Sequence, residues 1–225
     1  MGSEPDELDL PERLQWTLAW QSRKLMPRLA QPDAEQRLRA YWTEARRMDE
    51  VLARVSLTPS SLSVDVGGGL TTPLRWLPGR RLCIDPLAEH YGARFDLPHD
   101  RVSYALGHGE CLPLAGGTVD LVVCTNCIDH TDDPWAVVRE IWRVLRPGGW
   151  LWFSCEVNPP DQERNAGHPH ALDRGALERL VAAFEVVLVW EEPWRGAYRF
   201  LMNEEPFPAV ELGFLLRKGR GRDAE

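Results

Sequence analysis

Ser63-Val64-Asp65-Val66-Gly67-Gly68-Gly69-Leu70-Thr71 is the stretch whose reading decides the fold. Leu62, Val64 and Val66 alternate with polar residues, which is the pattern of a strand. The alternation stops at three consecutive glycines, and Pro73 to Trp76 then suits the start of a helix. Strand, glycine turn and helix N-terminus in that order let a ligand approach the backbone closely. A second apolar run, Arg81-Leu82-Cys83-Ile84, ends in Asp85. An acid at that distance from the turn is placed to accept the hydroxyl protons of a ribose. The combination points to a nucleoside-containing cofactor.

Outward from this stretch the chain alternates. Strands are expected at 61–66, 80–84, 101–105, 119–125 and 149–156, with helices at 70–77, 86–93 and 133–145 between them. In the last helix Trp135, Val138, Ile141, Trp142 and Leu145 mark one face, and Asp133-Pro134 opens it. Such alternation implies a parallel sheet with helices on both faces and ligands at the carboxyl ends of its strands. Asp173 to Ala183 reads as a further helix, and 184–190 and 210–216 as strands joined by a long connection. Long connections often cover sites, and this one holds Trp194, Tyr198, Phe200 and Phe207.

Residues 1–57 read as an N-terminal helical cap, 58–218 as the cofactor-binding domain and 219–225 as a disordered tail. The cap is expected to break near Met26-Pro27. Its first helix carries Leu14, Leu18 and Leu25 on one side and Trp16 and Trp20 on another. Two apolar sides imply a sandwiched helix, with the tryptophans facing a substrate, a partner chain or the second helix.

Composition narrows the classes. The net charge of −8 disfavours a phosphate-binding surface, so no nucleic-acid partner is expected. No apolar run is long enough for a membrane span. Five cysteines, an odd number, suit reduced thiols and a cytoplasmic setting. Oligomeric state is not legible.

The cofactor class follows from what surrounds the glycines. A dinucleotide turn wants a glycine where Thr72 stands, and a pyrophosphate gains nothing from the carboxylate of Asp65. A triphosphate loop wants lysine, and neither lysine nor arginine occurs from Ser56 to Leu74. S-adenosylmethionine carries an ammonium and a sulfonium and no phosphate, so an acid without nearby cations suits it.

From about Ser61 to Glu156 the chain resembles the class I S-adenosylmethionine-dependent methyltransferases, the broad family that includes the ubiquinone/menaquinone and many small-molecule enzymes. The matching words are Val64-Asp65-Val66-Gly67-Gly68-Gly69, Cys83-Ile84-Asp85-Pro86, Gly109-Glu110-Cys111-Leu112-Pro113-Leu114, Val119-Asp120-Leu121-Val122-Val123, Ile128-Asp129-His130 and Glu140 to Gly149. The resemblance implies a Rossmann-like, seven-stranded, mostly parallel α/β sheet with an antiparallel last strand. It implies that Asp65 and Gly67, Gly68 and Gly69 hold the methionine part of the cofactor. Asp85, followed by Pro86, would hold the ribose, Gly109 and Glu110 would line the adenine, and Asn126 would offer backbone contact. His108 stands where the family often has an acid that binds the adenine amino group.

Methyl transfer from a sulfonium is a displacement, so the enzyme mainly aligns the reactants and excludes water. His130 is the candidate catalytic base, in the loop leaving the fourth strand. Trp16, Trp20, Glu156, His168, His170, Trp194 and Tyr198 are the candidate contacts to a small-molecule acceptor, methylated on oxygen or nitrogen rather than carbon. Cys124-Thr125-Asn126-Cys127 has no second ligand pair, so no metal is expected. The alternatives are a catalytically degenerate binding protein of the same fold and a nicotinamide-dependent oxidoreductase. The sheet edge is expected to bind the cofactor and the appended segments the acceptor.

Overall fold

The computed structural model describes residues 10–94, 102–157, 166–193 and 210–219. Its centre is a seven-stranded sheet in the order β3-β2-β1-β4-β5-β7-β6. The strands are β1 Leu62–Val66, β2 Arg80–Asp85, β3 Ser103–Leu106, β4 Val119–Thr125, β5 Leu145–Val157, β6 Glu185–Pro193 and β7 Val210–Arg217. β1 pairs in parallel with β2 and β4, β2 with β3, and β4 with β5. β7 runs antiparallel to both β5 and β6. The strand order reverses at β1 and β4, and that switch point is where ligands bind in open α/β sheets.

Both faces of the sheet are covered, which is why β4 is apolar on both sides from Leu121 to Cys124. In β4, Val122 and Cys124 belong to one core, while Leu121 and Val123 belong to the other. The first core is closed by α6 (Pro134–Val144) and α7 (Arg174–Leu180), through Val137, Val138, Ile141, Val144, Leu177 and Leu180. The Asp133 carboxylate caps α6 by accepting from the amides of Trp135 and Ala136 at 2.9 and 3.0 Å. Trp135, expected on the apolar face, is exposed, because the buried stripe runs through Val137, Val138, Ile141 and Val144 instead.

The second core is closed by the N-terminal helices. These are α1 (Glu12–Trp20), a π-helical turn (Gln21–Leu25), α2 (Met26–Leu29), α3 (Ala34–Ala40), a second π-helical turn (Tyr41–Ala45) and α4 (Met48–Arg54). Leu14, Leu18, Leu25, Leu38, Trp42 and Val51 pack with Leu121, Val123, Trp152 and Leu215 of the sheet. Trp42 meets Trp152 edge-on at 5.2 Å. These helices are therefore one layer of the sandwich as well as a cap. α5 (Ala88–Arg94) follows β2.

Three expected boundaries differ. The helical run does not break at Met26-Pro27, because Pro27 falls in the first turn of α2 after the π-turn, where its missing N–H is tolerated. The chain instead reverses between Ala30 and Asp33. The expected helix at 70–77 is a single 3-10 turn, Pro73–Trp76, ended by extended Leu77 before Pro78-Gly79. β5 begins at Leu145 rather than 149, because Leu145 pairs with Val119 before Arg146 to Gly149 loop out and pairing resumes at Leu121↔Trp150. The long connection with Trp194, Tyr198, Phe200 and Phe207 lies outside the described residues, as do 220–225 of the expected tail.

Candidate functional site

A cavity of about 420 Å³ opens at the carboxyl ends of β1, β2, β4 and β5, within the range of about 300–1,000 Å³ usual for small-molecule sites. Gly67, Gly68, Gly69, Asp85, Pro86, His108, Gly109, Glu110 and Asn126 form its wall on the β1–β2 side. Trp16, Trp20, His130, Glu156 and His168 form it on the other. The fold thus brings most of the expected residues to one place.

The glycine turn is built as expected. Gly67 and Gly69 have φ of 69° and 52°, a region that side chains disfavour. A Cβ on Gly67 would meet Cys127, and one on Gly68 would run into the Asp65 carboxylate. Asp65 itself is 1 % exposed and lies behind the cavity lining, against Gly68 of the turn. Burial raises its carboxyl to about 7, with a hydrogen bond from the Thr72 side chain lowering it and the charge of Asp85 raising it. A buried carboxylate is stabilised by a cation that reaches it.

Asp85 is organised differently. Its Oδ2 accepts from the amide of Gly69 at 3.0 Å and its Oδ1 from that of Leu87 at 2.8 Å. The carboxylate ties the tip of β2 to the glycine turn. Tyr91 bonds it too, and Gln21 Nε2 donates to the Tyr91 hydroxyl at 3.0 Å. Gln21, Tyr91 and the Trp42 indole, which donates to the Thr71 carbonyl at 2.6 Å, are site residues that sequence reasoning missed. Gln21 follows Trp20 directly, but its polar side chain gave no periodic signal.

On the 109–114 segment, Glu110 Oε1 accepts from the amides of Asp132 and Asp133, while the amide of Leu112 donates to Glu140 at 2.8 Å. This fixes Gly109 against Val66 and Val137, where a Cβ would lie 3.0–3.1 Å from both. Asn126 leaves β4 with a φ of 51°, and its amide donates to the Ser154 carbonyl at 2.8 Å.

The opposite wall gathers aromatic rings and imidazoles. His130 Nδ1 is hydrogen-bonded to the Gly167 carbonyl, which as an acceptor fixes Nδ1 as the protonated nitrogen. The rings of His130 and His168 lie 4.3 Å apart, and Trp16 meets His168 edge-on at 5.2 Å. A Cβ on Gly167 would enter the Trp16 ring. Arg13 holds Asp132 at 2.6 Å, docking α1 against the loop before α6. His170 does not join the wall, because its Nε2 turns to the Thr131 carbonyl at 2.8 Å. Glu156 pairs across the sheet with Glu211, which forms an ion pair with the fully buried Arg46. The Sγ atoms of Cys124 and Cys127 lie 3.9 Å apart, and the Cys124 contact and burial keep the Cys127 thiol protonated.

These features fit the cofactor that the resemblance implies. The buried acid Asp65, beneath a turn with no room for a Cβ, suits an ammonium, and the carboxylate of Asp85 suits a diol. Comparison with known proteins agrees. Residues 64–153 match a family model described as a methyltransferase domain. The chain is 34% identical over 123 residues to an uncharacterised methyltransferase of Mycobacterium sp. (strain KMS), covering 51% of this chain and 47% of that one. It is 36% identical over 91 residues to a human thiol S-methyltransferase, 37% of each chain. The chain thus spans about half the length, or less, of these curated relatives. Among solved structures, the [4+2]-cyclase SpnF superposes with a TM-score of 0.60 at 20% identity, covering 80% of this chain and 82% of that one. A geranyl diphosphate methyltransferase gives 0.58 at 15%, covering 84% of each. At these identities the structures show the shared fold alone.

Proposed function

We propose that this chain is a class I S-adenosylmethionine-dependent methyltransferase, built around the methyltransferase domain matched at residues 64–153, and that it transfers a methyl group to an oxygen, nitrogen or sulfur atom of a small, largely apolar acceptor. The observation that carries the reading is the continuity of one cavity. It runs from the glycine turn to an aromatic and imidazole wall.

When bound, S-adenosylmethionine supplies an electrophilic methyl on a sulfonium. Asp65 and the Gly67–Gly69 turn hold its ammonium end, Asp85 its ribose hydroxyls and the Gly109-Glu110 segment, with His108, its base. Trp16 and Trp20 exclude water from the acceptor side. With no metal ion bound, Nε2 of His130 takes the acceptor's proton. It is the unprotonated nitrogen, because Nδ1 is bonded to the Gly167 carbonyl. The Asp129 carboxylate lies 4.0 Å from that nitrogen. A sulfur acceptor draws support from the thiol S-methyltransferase relative, and oxygen and nitrogen acceptors suit the same wall.

Mass spectrometry of ligands that co-purify, with a methyl-transfer assay on small thiols, phenols and amines, tests this. S-adenosylmethionine or its demethylated product, and turnover on one of the three classes, is the expected result. Cofactor binding without turnover on any of them would leave a binding protein of the same fold.

A further inference from the structure

Asp129, His130 and His168 meet at the acceptor end of the cavity. Asp129 lies in a 3-10 turn, Ile128–His130, directly after β4, and its carboxylate is 1 % exposed. Oδ1 faces the Cys155 thiol at 3.7 Å, while Oδ2 is buried and has no hydrogen-bond partner. The two imidazole Nε2 atoms face this carboxylate, His130 at 4.0 Å from Oδ1 and His168 at 4.0 Å from Oδ2. At that separation neither is a hydrogen bond. Three groups with ligand atoms within 4.8 Å of one another therefore surround a gap instead of bonding across it.

The gap is a little wider than a bound metal ion requires. Ligands held tetrahedrally at about 2.0–2.2 Å from a central ion stand about 3.3–3.6 Å apart, so the three side chains would close in by roughly 0.5–1.5 Å to share one. The ligands are also prepared. The Gly167 carbonyl holds the proton of His130 on Nδ1, which directs the Nε2 lone pair inward, as an outer-shell partner does for a ligating histidine. Trp16 packs against the edge of His168 and restricts its rotation. His130 and His168 line the cavity, so positions not filled by protein face the acceptor. Two histidines and one carboxylate with open positions are a transition-metal donor set.

We propose that Asp129, His130 and His168 form a divalent transition-metal site whose open positions take the acceptor's heteroatom. This rests on the acceptor-side reading above and departs from the metal-free expectation drawn from the sequence, where only Cys124, Cys127 and His130 were near one another. Ligation exchanges the acceptor's X–H bond for an X–metal bond, and the proton leaves to solvent. The ion, rather than the His130 imidazole, then stabilises the deprotonated acceptor.

The test uses the full chain, stripped with a chelator and dialysed. Zn²⁺ alone is titrated by calorimetry, and Co²⁺ by its visible absorption. One equivalent should bind. His168→Ala, a substitution at the cavity wall that leaves the buried Asp129 in place, should weaken binding at least about tenfold. A small thiol added to the Co²⁺ form should shift the bands without S-adenosylmethionine present. Unchanged affinity in His168→Ala, or no binding by the wild-type chain, overturns the site. So does full methyl transfer by chelator-treated protein, and in that case the proposed function stands on His130 as base. Metal binding by a chain that shows no affinity for S-adenosylmethionine would support the site and count against the function.

Discussion

Asp65 shows how much one buried carboxyl can control. Burial raises its folded-state value from 3.8 to about 7, so between those values the folded chain holds a proton that the unfolded chain has lost. The stability contributed by this group therefore falls as pH rises through that window and is level above it. A cation bound beside it reverses the preference. S-adenosylmethionine affinity should rise from pH 5.5 to about 7.5 and then level off, with a proton released on binding near pH 6. Calorimetry in buffers of different ionisation enthalpy measures that release, and binding at pH 6 without it would remove Asp65 from the ammonium. Asp85→Ala should weaken S-adenosylmethionine by about 1.5–3 kcal/mol, roughly 10- to 150-fold, as expected for hydrogen bonds to a charged group. It should also lower the melting temperature, because the amides of Gly69 and Leu87 lose their acceptor. An affinity within twofold of wild type would contradict the ribose role.

At the scale of elements, α1 serves two faces at once. Leu14 and Leu18, with Leu25 just beyond, are buried against the second core, while Trp16 and Trp20 line the cavity. Burying three leucines contributes about 1.5–3 kcal/mol each, a sum comparable to the whole stability of a domain, about 5–15 kcal/mol. Deleting residues 1–32 should therefore give a chain that fails to fold, as circular dichroism and gel filtration would show. A folded truncation that still binds S-adenosylmethionine would restore the simpler division of labour, in which these helices touch only the acceptor. Gln21 argues against that division, since it reaches Asp85 through Tyr91. Trp16→Ala should separate the roles more gently. It should raise the acceptor KM about five- to tenfold, the worth of one aromatic contact, with S-adenosylmethionine affinity little changed.

Across the whole molecule, Arg46 joins the N-terminal layer to β5 and β7 of the sheet. It is fully buried, donates to the Tyr41 and Ser154 hydroxyls at 2.6–2.9 Å and forms an ion pair with Glu211 on β7. Removing one partner of a buried pair strands the other charge, at about 3–5 kcal/mol. Glu211→Ala should lower the melting temperature by about 10 °C or more. Arg46→Met with Glu211→Leu should recover most of that loss if the stranded charge, rather than packing, is responsible. A double variant no better than Glu211→Ala would assign the loss to packing.

The glycine turn, Asp85, the alternation of strands with helices and α6 were legible in the chain because each is local. Alternation, a φ that only glycine adopts easily and a capping aspartate act within a few residues of one another. The cofactor half of the site followed, since one strand-turn unit and the next strand tip build most of it. The acceptor half was legible only as a set of candidates. Trp16 and His168 have no relation in sequence until α1 docks on the sheet and Gly167, which has no Cβ, lets the Trp16 ring approach. His170, two residues from His168, looked equivalent and is not, because backbone geometry turns it to the Thr131 carbonyl. Asp129 read as part of a loop, and only the tertiary structure buries its carboxylate between two imidazoles. Local propensity sets the elements, but which side chains face one another across a cavity is decided by packing between layers.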